Sequence, residues 1–225
     1  MPRLPIRRWQ VWNEPNLSIF WGHQPNYAPS YVALLKVAHD AIKRADPGAT
    51  VVLAGVTNAP WAEVAKILRV RGASRLFDVA AAHVYTHRPA SVITILQYFR
   101  SALDQGGARG RPILVDEFGW NSSLGHSLQH FGFETDERLQ ATNLGQTLRE
   151  LGNYRTALHL AGFDYYDWVG VERRGAGEFA FAGLIKDING VFKPKPALGA
   201  YRHAALALER CRRKATDARR CISPA

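Results

Sequence analysis

Two glutamates carry the chemistry most plainly. Glu14 follows the apolar run from Ile6 to Asn13 and sits among Trp12, Asn13, Pro15 and Asn16, and Glu117 closes the run from Ile113 to Phe118. A glutamate beside a proline is ordinarily a solvated loop residue. One that ends an apolar strand, among aromatic and amide neighbours, has the surroundings of a site. Two such carboxyl groups can flank an anomeric carbon: a protonated acid gives its proton to the leaving oxygen while an ionised carboxylate acts on the carbon. Their environments must then differ. The acid needs burial or a charged neighbour to keep its proton, and the nucleophile needs hydrogen-bond donors that keep it ionised.

Further polar and aromatic residues fall at or just beyond other apolar runs: His83 with Tyr85, Trp120 and Trp168. His83 and Tyr85 are two residues apart and share one strand face, as a site pair or as a satisfied core pair. Trp120 and Trp168 have flat apolar faces suited to a sugar ring, although tryptophans commonly serve packing. Trp21 is a weaker candidate for an outer sugar site. Asn13 either caps a turn or binds substrate. Strand alternation predicts that Asp116 points away from Glu117 and is structural. His87, Asn58 and Asn121, also near strand ends, carry no assignment.

The elements that must position these residues alternate between strand and helix, the pattern of an α/β protein with a parallel sheet. Five units are expected. Strands span Ile6 to Asn13, Val51 to Val56, Val79 to Tyr85, Ile113 to Phe118 and Gly162 to Trp168. The helices after them run from about Pro29 to Ala45, Trp61 to Val70, Ser91 to Leu103, Glu137 to Leu158 and Ala197 to Arg213. Asp46-Pro47-Gly48 and Gly106-Gly107 stop two of these, a long polar loop spans Asn121 to Thr135, and a Gly-rich segment precedes the last helix. In a (β/α) barrel, strand ends of this kind assemble the active site. An open doubly wound sheet would bring a Gly-rich phosphate loop, and neither common form of that motif is present.

Trp12-Asn13-Glu14-Pro15-Asn16 resembles the strand-four motif of clan A glycoside hydrolases, and Val115-Asp116-Glu117-Phe118-Gly119-Trp120 is similar to their strand-seven motif. His83-Val84-Tyr85 resembles their strand-six pair, Trp168 their strand-eight sugar platform, and Gly183 to Tyr201 the approach to their last helix. The flavour is closest to families 39 and 5. The resemblance implies a partial (β/α)8 TIM barrel, residues 1–210 holding strands four to eight, with a basic tail at 211–225. It implies a retaining double displacement on a β-linked sugar, with Glu14 as acid/base and Glu117 as nucleophile. It further implies a hydrogen bond from Asn13 to the sugar 2-hydroxyl, contacts of His83 and Tyr85 with sugar and nucleophile, and a Tyr85 hydrogen bond to Glu117. The partner is a glycoside, oligosaccharide or polysaccharide, with no metal or organic cofactor.

Composition fits this reading and excludes others. Hydrophobic content of 47% suits a folded globular chain. Much of the formal charge of +10 sits in the C-terminal tail from Arg210 to Arg220, and no nucleic-acid-binding motif accompanies it, so no nucleic-acid partner is expected. No apolar run is long enough to span a membrane, and no signal-peptide pattern is legible at the start; compartment stays open, with secretion of a longer form compatible. Cys211 and Cys221 match no metal spacing and either pair or stay free. A metal-dependent hydrolase would need several ligands at strand ends, where only His83 and His87 offer themselves. A decayed barrel that binds sugar through Trp12, Trp21, Trp120 and Trp168 without turnover is the alternative, and retention of both glutamates argues against it.

Five strands do not close an eight-stranded barrel, so the first and last strands would expose unpaired edges. A late start, an excised fragment and a degenerate gene are the explanations open. The 225-residue chain alone is therefore expected to show little hydrolase activity, and robust turnover of aryl glycosides by the purified chain would refute that.

Overall fold

A computed structural model describes residues 6–173 and 175–208. The expected basic tail, with Cys211 and Cys221, and the end of the last expected helix lie outside the described residues. The chain divides into two interleaved compact units: one holds residues up to Val84, Thr94–Glu117 and Arg155–Asp164, and the other holds Tyr85–Ile93, Phe118–Tyr154 and the chain from Tyr165 onward.

The first unit is built on a five-stranded sheet in the order β1-β2-β3-β4-β5, with β1 Arg8–Val11, β2 Thr50–Val56, β3 Val79–His83, β4 Ile113–Phe118 and β5 Leu160–Tyr165. β1 to β4 pair parallel in chain order, as consecutive βα units must. Helix α1 (Ser18–Trp21) is a single turn that sequence periodicity did not mark, followed by α2 (Ala28–Ala45), α3 (Pro60–Leu68) and α4 (Pro89–Gln105). α2 stops where Asp46-Pro47-Gly48 was expected to stop it: the Gly48 amide donates to the Asp46 carboxylate at 3.0 Å.

Apolar strands and helix stripes make the core. Val51 to Ala54 and Val56 of β2 are buried, as are Tyr31 and Leu35 of α2, Val64 and Ile67 of α3, and Leu96, Phe99 and Leu103 of α4. One sheet face carries the smaller cluster of Val52, Val79, Ala81 and Leu114, with Ala161 packed on it. The edges differ from the middle: Arg8, Trp9 and Gln10 of β1 are exposed, whereas every residue of β3 is buried. Strands of parallel sheets are normally covered on both faces.

The sheet is not regular. Between β2 and β3 the pairs Leu53↔Ala80 and Val56↔Ala82 take three steps on β2 for two on β3. The shift is a bulge in β2. On the other side of β2, where its pairing with β1 ends, the fully buried Tyr31 hydroxyl bridges the two strands, accepting from the Ala54 amide at 2.8 Å and donating to the Val11 carbonyl at 3.1 Å.

In the second unit α5 (Glu137–Tyr154) packs along α6 (Pro196–Leu208), and the short strands β6 (Val169–Val171), β7 (Ile185–Ile188) and β8 (Val191–Pro194) form a separate sheet. β7 and β8 are a hairpin turned by Asn189-Gly190, both with positive φ (55° and 85°), where the sequence reading had only a Gly-rich segment. The long loop after β4 is held by buried polar groups. Asn121 donates to Glu178 at 2.9 Å and accepts from the Thr135 amide at 2.7 Å, while the other Glu178 oxygen accepts from the Phe131 amide at 3.0 Å. Buried Lys195 pairs with Glu172 at 3.0 Å and donates to Ser122 and to the Phe181 carbonyl.

Tyr31→Phe is expected to leave the buried Ala54 amide without a partner and to cost about 1–3 kcal/mol. A urea midpoint lowered with an unchanged slope is the readout, and an unchanged midpoint would show that the β1–β2 junction does not depend on this hydroxyl.

Candidate active site

Four ionisable side chains converge in the first unit, and local departures from regular structure bring Glu14 and Glu117 to the other two. Glu14 lies in the turn that ends β1, with φ 43°, and Trp12 has φ 74°. Non-glycine residues in this region cost of order 1–3 kcal/mol, so the surroundings must hold them there. They do so through the end of β2. The Glu14 amide donates to the Gly55 carbonyl at 3.0 Å, and Asn16 donates to the Thr57 carbonyl at 2.9 Å.

His83 ends β3 on the same face as Val79 and Ala81, by simple alternation, and is 1% exposed. Its ring lies where a side chain on Gly55 would be. A Cβ there would fall 2.1 Å from His83 Nε2 and 2.8 Å from Asp116 Oδ2, so the glycine in β2 makes room for the pair.

β4 supplies two carboxylates to one histidine. Ala81 pairs with Leu114 but His83 pairs with Glu117, so β4 carries an extra residue in this stretch. Asp116 is two residues from Leu114 and stays on the same face, while the bulge also brings Glu117 opposite His83. The alternation argument that sent Asp116 away from the site is therefore corrected: Asp116 Oδ2 is 3.3 Å from His83 Nε2. On the other side of the ring, Nδ1 is 2.7 Å from Glu14 Oε1 and 3.4 Å from Glu117 Oε2. The side chains of Glu14, Asp116 and Glu117 are 10%, 11% and 22% exposed.

Burial alone would lower the pKa of His83. The hydrogen bonds to Asp116 and Glu14, with the charges of Asp116 and Glu117, outweigh it and hold the ring at about 10, against an ordinary 6.5. His83 is thus an imidazolium at neutral pH. Asp164, on β5, has its carboxyl pushed up by burial and by the charge of Asp116, with Arg8 acting the other way. One atom each from Glu14, His83 and Glu117 lies within 4.8 Å of the others, a spacing a divalent cation can use. A ring that keeps both protons offers such an ion no lone pair, so the set acts as an ion cluster.

The remaining expected site residues distribute differently. Asn13 is half-buried in the turn between Trp12 and Glu14. Trp12 is half-exposed, donates to the Phe20 carbonyl at 3.0 Å and meets Trp21 edge-on at 5.4 Å. Tyr85, Trp120 and Trp168 belong to the second unit. Tyr85 stacks on Phe133 at 5.4 Å and meets Phe179 edge-on. Trp120 is 1% exposed and packs edge-on against Phe118, which corrects its reading as a sugar platform: a buried ring has no free face. Trp168 is 59% exposed and borders an apolar groove of about 540 Å³ with Leu198, Tyr201 and Leu206. Asp164 and Gly55 were missed, and their sequence signal was no more than a carboxylate or a glycine near a strand end, while Asp116 was read as structural.

No protein-family model matches the chain, and no curated protein matches it in sequence. Solved structures do. Over 88% of this chain and 41% of the other, it is similar to a monomeric beta-xylosidase from Caulobacter crescentus CB15, with 20% identity and a TM-score of 0.59. The GH39 enzyme from Xanthomonas axonopodis pv. citri matches over 93% and 42%, with 19% identity and a TM-score of 0.63. The fold is that of part of a glycoside hydrolase barrel. A family 51 alpha-L-arabinofuranosidase from Bifidobacterium longum shares this glycosidase fold, with 17% identity, a TM-score of 0.65 and coverage of 91% of this chain and 44% of that one. The chain thus spans less than half the length of these enzymes. Among the described residues no helix is long and apolar enough to cross a membrane.

Because folding raises the pKa of His83, the stability it contributes is fully present below about pH 6.5 and is lost as pH rises through about 10. Urea midpoints should therefore fall across this window, and His83→Gln should flatten the fall. A midpoint independent of pH there would contradict the imidazolium assignment.

Proposed function

We propose that this chain carries the catalytic pair of a retaining glycoside hydrolase, with Glu14 as general acid/base and Glu117 as nucleophile, acting on a β-linked sugar. The observation that supports it is the spacing of the two carboxylates. Both reach His83 Nδ1, at 2.7 and 3.4 Å, and their atoms in this cluster lie within 4.8 Å of one another. Retaining enzymes hold their carboxyl groups about 5–5.5 Å apart, whereas inverting enzymes leave about 6.5–9.5 Å for a water between them. The short separation favours direct attack by a carboxylate.

In the first step a Glu117 oxygen bonds to the anomeric carbon, the glycosidic C–O bond breaks, and Glu14 gives its proton to the departing oxygen. In the second, Glu14 takes a proton from water as the water oxygen attacks the same carbon, and the glycosyl ester to Glu117 breaks. Two inversions at one carbon give net retention. Glu117, the more exposed of the two, has the access an attacking group requires, and Glu14, the more buried, has the environment of an acid. Asn13, beside Glu14, suits a hydrogen bond to the sugar 2-hydroxyl. In the second unit, the exposed face of Trp168 suits a pyranose.

The test uses the longest reading frame that contains these residues and a panel of aryl glycosides: β-xyloside, β-glucoside, β-glucuronide and α-L-arabinofuranoside. One β-glycoside is expected to be hydrolysed, and Glu117→Ala is expected to lower kcat/KM by roughly 10³-fold or more, about 4 kcal/mol. Azide should restore turnover by attacking the anomeric carbon in place of Glu117, giving a glycosyl azide of inverted configuration. Hydrolysis of the arabinofuranoside alone would overturn the β-specificity, and turnover indifferent to Glu117→Ala would overturn the mechanism.

A further inference from the structure

The cluster around His83 holds a proton arrangement that the two-carboxylate scheme does not use. Glu14 Oε1 and Asp116 Oδ2 face opposite ring nitrogens, at 2.7 and 3.3 Å. Two hydrogen bonds in a chain of three groups need two protons, and only two distributions supply them. Either both protons sit on the ring, between two carboxylates, or His83 is neutral and one carboxyl group carries the second proton. The two states have the same total charge and differ by moving one proton along one hydrogen bond.

We propose that Asp116 is a positioning residue for Glu14: by accepting the Nε2 proton of His83 it leaves Nδ1 as the nitrogen that exchanges a proton with Glu14. This rests on the reading of Glu14 as the acid/base. In the resting state the Nδ1 proton lies on His83 and faces Glu14 Oε1, 2.7 Å from Nδ1. Transfer of the Nδ1 proton to Glu14 Oε1 yields a neutral imidazole, still donating from Nε2 to Asp116, and a neutral carboxylic acid. No atom is gained or lost, and the net charge of the three groups stays at minus one. Without Asp116 the neutral ring would be free to carry its proton on Nδ1, a tautomer that cannot accept from the acid.

Every charged neighbour of this ring bears on the balance. Glu14 approaches from the turn after β1, Asp116 and Glu117 from β4, and Asp164 from β5 behind Asp116, with Arg8 of β1 near Asp164. On β2, Gly55 has no side chain to interpose. The second Asp116 oxygen is buried and, among the described residues, has no hydrogen-bond partner, so the side-chain bond Asp116 makes there is to His83. Burial and a single partner make Asp116 a rigid support for the ring.

The experiment is a ring-nitrogen NMR titration of the 225-residue chain labelled at histidine, with His83 assigned by the signal that His83→Gln removes. In the wild type His83 is expected to remain doubly protonated at pH 8, after exposed histidines have titrated, and on deprotonation to keep its proton on Nε2. Asp116→Asn is expected to lower its proton affinity at least tenfold and to abolish the preference for Nε2. Glu14→Gln is expected to lower the affinity while the Nε2 preference survives. Titration of wild-type His83 near its ordinary value overturns the proposal without any variant, as does an Asp116→Asn profile that superimposes on the wild type. A folding defect of Asp116→Asn leaves the wild-type and Glu14→Gln titrations to decide. No turnover is measured here, so failure of the glycosidase reading would show in the azide experiment, and failure of this proposal in the titration.

Discussion

A histidine that is 1% exposed and faces three carboxylates is favoured as a cation, and much of the first unit is arranged to keep it one. Burying a charge costs several kcal/mol unless partners compensate, and burying like charges together costs more. Neither the imidazolium nor the carboxylates would be stable in this place alone. Their mutual attraction in a partly dehydrated site offsets the loss of water, and the offset depends on geometry. Each contact is set by backbone: the turn with φ 43° at Glu14, the glycine at position 55, and the extra residue in β4.

These irregularities fall in the last residues of the strands, and the regular stretches lie before them. Val52, Val79, Ala81 and Leu114 form an apolar layer on one sheet face, and the ion cluster continues that face toward the strand ends. The apolar layer gives the strands a firm register. Against that register a bulge can shift a carboxylate by one position without loosening the sheet. The sheet can thus be ordinary in its middle and specialised at one end, the division of labour seen in barrel enzymes.

The parts legible in the sequence are those in which one residue type has one structural meaning. Apolar runs such as Val51 to Val56 are strands because buried parallel strands are apolar on both faces, and Asp46-Pro47-Gly48 ends a helix because its middle residue cannot continue one. Glu14, His83 and Glu117 were legible as charges at strand ends. Asp116 was not, because period-two alternation holds only in an unbulged strand. Trp120 was misread because an indole beside a catalytic motif has the same composition whether buried or exposed. The hairpin of β7 and β8 was overlooked for another reason. Ile-Lys-Asp-Ile and Val-Phe-Lys-Pro are short, the first mostly half-buried and the second exposed, with little apolar pattern, although Asn189-Gly190 between them is a strong local signal for a two-residue turn.

One nitrogen facing two carboxylates also gives chemically identical groups different surroundings. Glu14 is 2.7 Å from His83 Nδ1 and Glu117 is 3.4 Å away, so the ring nitrogen lies closer to Glu14. A hydrogen bond couples proton position, whereas a charge without one only favours ionisation. The closer carboxylate is therefore joined to a proton donor that the farther one shares less. The difference of less than 1 Å between them is set by the turn after β1 and the bulge in β4, that is, by backbone geometry rather than by residue type.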